Sequence, residues 1–288
     1  MPRSAPARVE VAGIALSSPD KVLWQPQGLT KRDLAAYYVA MADRILPHVA
    51  GRPLTLLRCP SGAEGACFIQ KHAWPGLGAA VRRVRTGDGE WLAVDDLSGL
   101  IALVQMGVLE LHPWGSRTDD PERPDRIVLD LDPEDGVHWA HVAEGAREIR
   151  AALDALGLRS FVKTTGGKGL HVVVPIEPAP DWEAAKDFAH AVAAQLAERR
   201  PERYTTNPLK EARAGRIFLD HLRNSRGATA VAAWSPRARP GAPVAVPLSW
   251  DELDSPDRPG VSDLPAWAER RQQDPWRDFF TVRQRLPG

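Results

Sequence analysis

Two aspartates at the end of one apolar segment are the residues whose type and spacing most clearly indicate chemistry. The segment Arg126–Pro133 reads Arg-Ile-Val-Leu-Asp-Leu-Asp-Pro, which places carboxylates at Asp130 and Asp132. Side chains alternate across a strand, so both carboxylates face one side, with their Cα atoms about 6.6 Å apart. Two like charges this close on a mostly buried strand are costly unless a cation neutralises them. The pattern therefore predicts a platform for a hard divalent ion such as Mg²⁺ or Mn²⁺.

A second apolar segment, Arg216–Asp220, also closes on a carboxylate. A third aspartate beside the first two would complete a divalent-metal site of the type used for phosphoryl and nucleotidyl transfer. Arginine forks match phosphate oxygens better than lysine does, so nearby arginines predict a polyphosphate clamp. The arginines concerned are Arg223, Arg226, Arg237 and Arg239.

A glycine-rich segment lies between two predicted strands. Thr164–Gly169 reads Thr-Thr-Gly-Gly-Lys-Gly, and such a turn lets backbone N–H groups approach phosphate oxygens while Lys168 supplies charge. The spacing is not that of a P-loop, and for the segment taken alone a glycine-rich hairpin without a ligand is the favoured interpretation. His171 follows it, although a single histidine on a strand is more typical of a structural residue.

These residues are compatible with three different functions. The aspartate pair and the arginines favour nucleotidyl transfer. An apolar strand followed by Asp-x-Asp also begins phosphatases of the haloacid-dehalogenase type, with Asp130 as nucleophile, but Glu134 stands where those proteins usually have Thr or Val. A non-catalytic module that grips DNA ends is the third alternative, and Asp-x-Asp-Pro alone is also a simple strand stop.

Composition is that of a globular protein. With 288 residues, 43% hydrophobic and 26% charged, the chain suffices for one large domain or two joined lobes. Basic and acidic residues both total 37, so net charge predicts no polyanion partner, although the basic residues concentrate between Arg199 and Arg226. Cys59 and Cys67 are too few for a disulfide framework. No segment predicts a membrane span or a signal peptide, so we expect a cytoplasmic protein with no membrane partner.

The periodicity predicts mixed α and β structure. Helices are predicted at Thr30–Leu46, which Thr30 and Asp33 begin as a capping box, at about Ala140–Leu156, which stops at Gly157, and at Asp181–Arg199. The inward faces are expected to comprise Leu34, Tyr37, Tyr38, Met41 and Ile45 in the first helix and Val142, Ile149, Leu153 and Leu156 in the second. Strands are predicted at Leu54–Leu57, Arg126–Asp132, Ser160–Lys163, Leu170–Val174 and Arg216–Asp220. Ser235–Pro247 is a loop by composition. We expect one domain over 1–288, with a first part over about 1–110, a catalytic part over about 111–250, and a tail over 251–288 whose Trp267, Trp276 and Phe279 pack onto the body.

The motifs taken in order resemble the polymerase domain of bacterial ligase D, in the archaeo-eukaryotic primase superfamily that serves non-homologous end joining. Each motif is weak alone, and their order across most of the chain is specific. They are Pro19–Trp24 with Thr30 and Lys31, Arg58–Gly62, Phe68–Lys71, Leu111–Trp114, Leu129–Pro133, Thr165–His171, Phe218–Asp220 and Ser235–Gly241.

The resemblance implies roles for individual residues. The catalytic carboxylates Asp130, Asp132 and Asp220 would hold two divalent ions, Mn²⁺ or Mg²⁺. The incoming nucleotide would be contacted by His112, Thr165, Gly166, Lys168, Arg237 and Arg239, the last two on the triphosphate. Phe68 would stack near the nascent base pair, although Ile69 replaces the usual second aromatic residue. Lys21 and Lys31 match the pair that receives a DNA 5′-phosphate.

The resemblance also implies a fold and a function. The fold is α/β (α+β) and primase-like, with two sheet-based parts enclosing one active cleft between flanking helices. The function is template-directed nucleotidyl transfer that fills gaps and extends DNA ends in end joining, with a preference for ribonucleotides. Expected partners are gapped, recessed or broken DNA carrying a 5′-phosphate, nucleoside triphosphates, Ku and a DNA ligase, in a cytoplasm where the protein associates with the nucleoid.

Overall fold

The structure, a computed structural model, describes residues 8–87, 89–254, 260–261 and 263–287. The strands are β1 Arg8–Val11, β2 Ile14–Ser17, β3 Val22–Trp24, β4 Leu29–Thr30, β5 Leu54–Arg58, β6 Phe68–Gln70, β7 Arg82–Thr86, β8 Gly89–Ala93, β9 Val108–Pro113, β10 Arg126–Pro133, β11 Phe161–Thr164, β12 Leu170–Pro175, β13 Tyr204–Thr205, β14 Ile217–Asp220 and β15 Pro247–Leu248. The helices are α1 Lys31–Val49, α2 Leu97–Gln105, α3 Trp139–Ala155, α4 Trp182–Arg199 and α5 Leu264–Gln272. The predicted mixed α/β class is confirmed.

The chain divides into two compact units, each built from three segments. Unit 1 comprises Met1–Pro113, Val231–Val244 and Arg258–Gln273. Unit 2 comprises Trp114–Ala230, Ala245–Asp257 and Asp274–Gly288. Within the described part of the chain, no helix combines the length and the apolar character that crossing a bilayer requires.

Unit 2 is organised around a six-stranded sheet in the order β13-β14-β10-β12-β11-β15. The strand with the aspartate pair, β10, is central and runs antiparallel to both of its neighbours, β12 and β14. A central strand that is buried on both faces is expected to be apolar, as Ile127, Leu129 and Leu131 are. The aspartates therefore depart from the pattern that this position favours.

Helices α3 and α4 pack together over one face of that sheet. α3 comes close because it has a glycine at the contact: a Cβ on Gly145 would lie 3.2 Å from the Leu131 side chain. Leu131 points to the face opposite Asp130 and Asp132, since side chains alternate along a strand. The helices thus cover the apolar face of β10 and leave the carboxylates on the other.

Unit 1 contains a five-stranded sheet in which β5 pairs with β6, β8 and β9. α1 begins at the predicted capping box, in which Thr30 and Asp33 satisfy each other's backbone N–H groups. Its predicted apolar face is buried throughout, at Leu34, Tyr37, Tyr38, Met41 and Ile45.

Some local predictions differ from the structure. Cys59 and Cys67 form a disulfide, which the sequence analysis does not predict. Leu156 is predicted to point inward, but it is exposed because α3 has already ended and Leu156 is its C-cap. The expected packing of three aromatic residues of the tail is observed: Trp267 is buried in unit 1 against Tyr37, and Trp276 and Phe279 are buried in unit 2.

Candidate active site

Strand register brings the carboxylates of unit 2 onto one face of the sheet. Asp130 of β10 lies directly opposite Asp220 of β14, and on its other side it lies opposite His171 of β12. Directly opposed residues share a face, and Asp132 shares that face because it lies two residues along the strand. The structure therefore brings Asp220 together with Asp130 and Asp132, although Asp220 is far from the other two in sequence.

Two arginines and a histidine contact these carboxylates. Arg223 Nε lies 3.1 Å from Asp130 Oδ2 and 3.2 Å from Asp220 Oδ2, so it bridges the opposed pair. Arg213 Nη1 lies 3.1 Å from Asp132 Oδ2. His171 Nε2 lies 3.5 Å from Asp130 Oδ1. Arg213 is a functional candidate that the sequence does not indicate, because the spacing of its segment offers no signal for such a role.

A buried amide fixes the turn that carries Arg223. Asn224 accepts a hydrogen bond from Val128 N–H and donates one to Val128 C=O, each at 2.8 Å. Asn224 therefore continues the strand ladder beyond the point where pairing of β10 with β14 stops. Asn224 is a further residue that sequence reasoning missed, because its contact depends on the long-range register.

The three carboxylates differ in their electrostatics. Burial opposes ionisation of Asp130, but contacts with His171 and Arg223 hold its pKa at about 2. Burial, and then the charge of Asp130, raise the pKa of Asp132. Burial also raises the pKa of Asp220, against the attraction of Arg223. Burial, and then Lys163, lower the pKa of His171 to about 4, so this imidazole is neutral at pH 7. The face therefore carries negative charge that additional positive charge would stabilise.

The donor chemistry of this face fits a hard divalent cation, since all three aspartates present carboxylate oxygens. In the present arrangement Arg223 and Arg213 stand beside those oxygens. Among the described residues, no three His, Cys, Asp or Glu side chains converge closely enough to hold an ion as they stand. Cation binding would therefore require the arginines to release carboxylate oxygens.

The glycine-rich turn predicted to meet phosphate lies at the start of β12. Thr165 N–H donates to Gly169 C=O at 3.1 Å, and Gly166 has φ +67°, a left-handed conformation that favours glycine. Lys168 pairs with exposed Asp135 at 3.0 Å, a surface contact that contributes little to stability. The charge of Lys168 also acts on Asp132 by opposing the rise in its pKa. The glycine-rich turn therefore lies close enough to the carboxylate face for the charge of Lys168 to act on Asp132.

Unit 1 contains a second charged cluster, centred on Glu110 of β9. Its Oε2 lies 2.8 Å from His112 Nε2 and accepts a hydrogen bond from Arg237 Nε at 2.9 Å. Its Oε1 accepts a bond from Ala238 N–H at 2.8 Å. Burial opposes ionisation, but these contacts hold the pKa of Glu110 at about 2. Two residues predicted to bind nucleotide, His112 and Arg237, are thus joined by a carboxylate that the sequence analysis did not single out.

The remaining predicted nucleotide contacts of unit 1 are exposed. Arg239 lies at a turn, and its guanidinium contacts no acceptor in the described part of the chain. The Phe68 side chain is 43% exposed on β6, with the Arg58 guanidinium 5.6 Å from its ring centroid. Ile69 beside it is also exposed.

The two lysines predicted to bind a 5′-phosphate are neighbours with different environments. Lys31 N–H donates to Lys21 C=O at 2.9 Å. The Lys31 ammonium is buried and contacts Ser17 C=O at 2.8 Å, with both oxygens of Gln105 within 3.3 Å. The Lys21 side chain is exposed and contacts Pro60 C=O. Lys21 is therefore the more accessible of the two to a phosphate.

Comparisons with known proteins agree on one family. Residues 30–276 match the family described as the primase-polymerase domain of LigD. The multifunctional non-homologous end joining protein LigD of Pseudomonas aeruginosa is 39% identical over 288 residues, covering 97% of this chain and 34% of the relative. The bifunctional LigD of Bacillus subtilis is 30% identical over 278 residues, covering 95% of this chain and 45% of the relative. The chain thus spans less than half the length of these relatives.

A solved structure gives the same result for the fold. The polymerase domain of Mycobacterium tuberculosis ligase D in complex with DNA matches with a TM-score of 0.85 at 31% identity. The match covers 92% of this chain and 97% of that domain. The chain therefore belongs to the family of LigD primase-polymerase domains.

Proposed function

We propose that this protein is a template-directed nucleotidyltransferase that adds nucleotides at DNA gaps and ends. The observation that carries the proposal is the register of β10 with β14, which sets Asp130 opposite Asp220 and beside Asp132. The relative of known structure is a polymerase domain in complex with DNA. Carboxylates clustered on a rigid sheet suit phosphoryl chemistry, which depends mainly on positioned charge.

The proposed reaction joins a primer 3′-oxygen to the α-phosphorus of a nucleoside triphosphate and breaks the bond to the β-phosphate, releasing pyrophosphate. Asp130, Asp132 and Asp220 would hold Mn²⁺ or Mg²⁺. The bound ions would supply positive charge that stabilises the transferring phosphoryl group. Arg213 and Arg223 lie beside these carboxylates. When the ions displace them, their guanidinium groups would contact phosphate oxygens instead.

The nucleotide contacts are assigned in the same proposal. Arg237 and Arg239 would bind triphosphate oxygens through their planar forks, and His112 would contact the nucleotide. In unit 2, Thr165, Gly166 and Lys168 would contact the nucleotide through the turn at the start of β12. The exposed Phe68 ring offers a face for stacking on a base.

Primer extension on gapped DNA with labelled nucleotides and either metal tests this function. The native protein is expected to extend the primer, and Asp132→Ala should abolish extension while the thermal melting midpoint stays near that of the native protein. Asp119→Ala, which removes an exposed aspartate elsewhere in unit 2, is the matched control and should retain activity. Full activity of Asp132→Ala would contradict the assigned site.

The same assay separates the alternatives. Release of inorganic phosphate from a phosphate ester without extension would favour a phosphatase with Asp130 as nucleophile. DNA binding without either reaction would favour a non-catalytic end-binding module. Comparing ATP with dATP tests the proposed ribonucleotide preference, with a higher kcat/KM expected for ATP.

We infer that the setting is DNA end joining, because the LigD relatives are named as end-joining proteins. This chain covers only part of them, so Ku and a ligase are proposed as partners. Adding purified Ku protein from the same organism is expected to increase gap filling on broken DNA ends. Unchanged extension and no binding to Ku would contradict this partnership.

A further inference from the structure

We propose that Glu110 is a positioning residue for the bound nucleotide: one buried carboxylate holds His112 and Arg237 in the orientation in which they contact the nucleotide, with Arg237 on its triphosphate. This inference rests on the proposed function, in which both held side chains contact the nucleotide. Glu110 itself would touch no substrate atom.

Strand geometry accounts for half of the arrangement. Glu110 and His112 are two residues apart on β9, so their side chains share a face. β9 is held against β5, with Leu57 opposite Glu110 and Thr55 opposite His112. An ionised carboxylate only accepts hydrogen bonds, so His112 Nε2 is the donor in the 2.8 Å contact. The contact therefore fixes both the tautomer and the ring orientation of His112.

The loop containing Arg237 accounts for the other half. Ala238 N–H and Arg237 Nε each donate to a different oxygen of Glu110. The loop backbone is also held by Arg237 N–H donating to Pro243 C=O at 2.8 Å and by Trp24 Nε1 donating to Arg237 C=O at 3.1 Å. Because a guanidinium is planar and rigid, fixing its Nε sets the plane in which its two terminal nitrogens meet a ligand.

A purely structural role is the competing explanation for Glu110. A buried charged pair contributes little net stability compared with apolar residues of the same volume, because desolvation offsets the attraction. Orientation of two ligand-binding side chains is an effect that an apolar residue would not provide. The experiment must therefore separate loss of orientation from loss of fold.

The test combines Glu110→Gln, Arg237→Ala and the double variant in the full chain. Affinities for ATP and AMP are measured by titration, and kcat and KM for ATP are measured by primer extension. We expect Glu110→Gln to weaken ATP binding about tenfold or more, to raise KM more than it lowers kcat, and to change AMP binding little. In the Arg237→Ala background the same substitution should cost much less, because residues that act together are not additive.

Glu144→Gln is the matched control, since Glu144 also accepts from two cationic side chains, Arg200 and Arg203, but lies on the surface of α3. It should leave ATP binding unchanged. If Glu110→Gln unfolds at the assay temperature, Glu110→Asp replaces it; Asp keeps the charge but shortens the reach, and the same split between ATP and AMP is expected.

Two results would overturn the inference while leaving the proposed function intact. One is an equal loss of ATP and AMP affinity in the Glu110 variant. The other is full additivity with Arg237→Ala. Failure of the native protein to bind ATP or extend a primer would instead refute the proposed function, and the inference with it.

Discussion

At the scale of single residues, the partner of each charged group decides what that group is able to do. Arg223 bridges Asp130 and Asp220, so it occupies a position where positive charge is needed. Lys31, by contrast, directs its ammonium at three acceptors within its own unit. Residue type alone does not distinguish these two cases. The sequence shows that both side chains are basic, but it does not show which acceptors hold them.

Glu110 predicts a specific dependence of stability on pH. Its pKa is about 2 in the fold against an ordinary value of 4.5. The ionised form therefore stabilises the fold above about pH 4.5, and this contribution, about 3 kcal/mol at most, is lost as the pH falls towards 2. Glu110→Gln should be less stable at pH 7 and should lose less stability between about pH 5 and about pH 3.

Denaturant titrations across that pH range provide the measurement. Glu144→Gln is the control and should follow the native curve more closely, because Glu144 lies at the surface. Native and Glu110→Gln curves that stay parallel down to the lowest pH would show that the contacts of Glu110 do not lower its pKa.

Lys21 and Lys31 predict two different phenotypes. Lys31→Ala should lower the free energy of unfolding by about 2 kcal/mol, because the acceptors Ser17 C=O and Gln105 lose a buried partner. Lys21→Ala should leave stability nearly unchanged and should reduce the preference for gapped DNA that carries a 5′-phosphate. Thermal melting and binding to gapped DNA with and without that phosphate measure the two effects.

The outcome for Lys31 alone is informative. If Lys31→Ala melts like the native protein yet loses the 5′-phosphate preference, its ammonium must leave its internal acceptors to bind DNA. Equal binding of both DNAs by the native protein would remove the 5′-phosphate site from the proposal altogether.

At the scale of elements, the position of the carboxylates depends on how closely β12 approaches β10. Leu131 pairs with Leu170, immediately after the glycine-rich turn. A Cβ on Gly169 would overlap the backbone carbonyl oxygen of Leu131. Only glycine permits this approach, so the turn sets the strand spacing beside Asp130 and Asp132.

Gly169→Ala is therefore expected to lower the free energy of unfolding by about 2 kcal/mol and to reduce nucleotide transfer, because β12 must move away from β10. Gly78→Ala is the matched control, since a Cβ there meets no atom within 4 Å, and it should be nearly neutral. Chemical denaturation and primer extension measure both variants. A Gly169→Ala protein as stable and active as the native one would show that the sheet absorbs the extra methyl group.

At the scale of the whole molecule, internal ion pairs cancel much of the basic charge that the sequence concentrates between Arg199 and Arg226. Arginines in this segment pair with carboxylates elsewhere in unit 2, namely Arg200 and Arg203 with Glu144, Arg213 with Asp132, Arg223 with Asp130, and Arg226 with Glu122. The formal net charge of the chain is zero. We therefore expect long-range attraction to DNA to be weak, and the proposed DNA binding would depend on a few local contacts.

The affinity for gapped DNA should accordingly depend only moderately on salt. The slope of log K against log salt concentration is about −0.9 for each phosphate contact, and we expect about three contacts. Fluorescence anisotropy titrations between about 50 mM and about 200 mM salt measure the slope. A slope of about −6 or steeper would mean that the internal ion pairs open to bind DNA phosphates.

Local sequence determined the elements whose signals are themselves local. Three helix signals depend only on neighbours within one turn: the capping box of Thr30 and Asp33, the N-cap Asp181 of α4, and Gly157 just after α3. The three helices are therefore predicted nearly to their ends. The two strands that carry Asp130, Asp132 and Asp220, β10 and β14, are predicted because their apolar runs are strong. α2 is not predicted because it is short and its residues 99–104 are all apolar and buried, a pattern that a buried strand shares.

Tertiary structure alone decided which of these residues meet. Three features join segments that are distant in the chain: the register that sets Asp130 opposite Asp220, the bonds between Asn224 and Val128, and the bonds that Glu110 accepts from Arg237 and Ala238. Such contacts depend on strand pairing and burial, which no local pattern encodes. The same reason explains Lys31, whose helix-start position was predicted correctly while its burial against Ser17 and Gln105 was not. Residue types thus indicated the chemistry, whereas long-range packing selected the partners that would perform it.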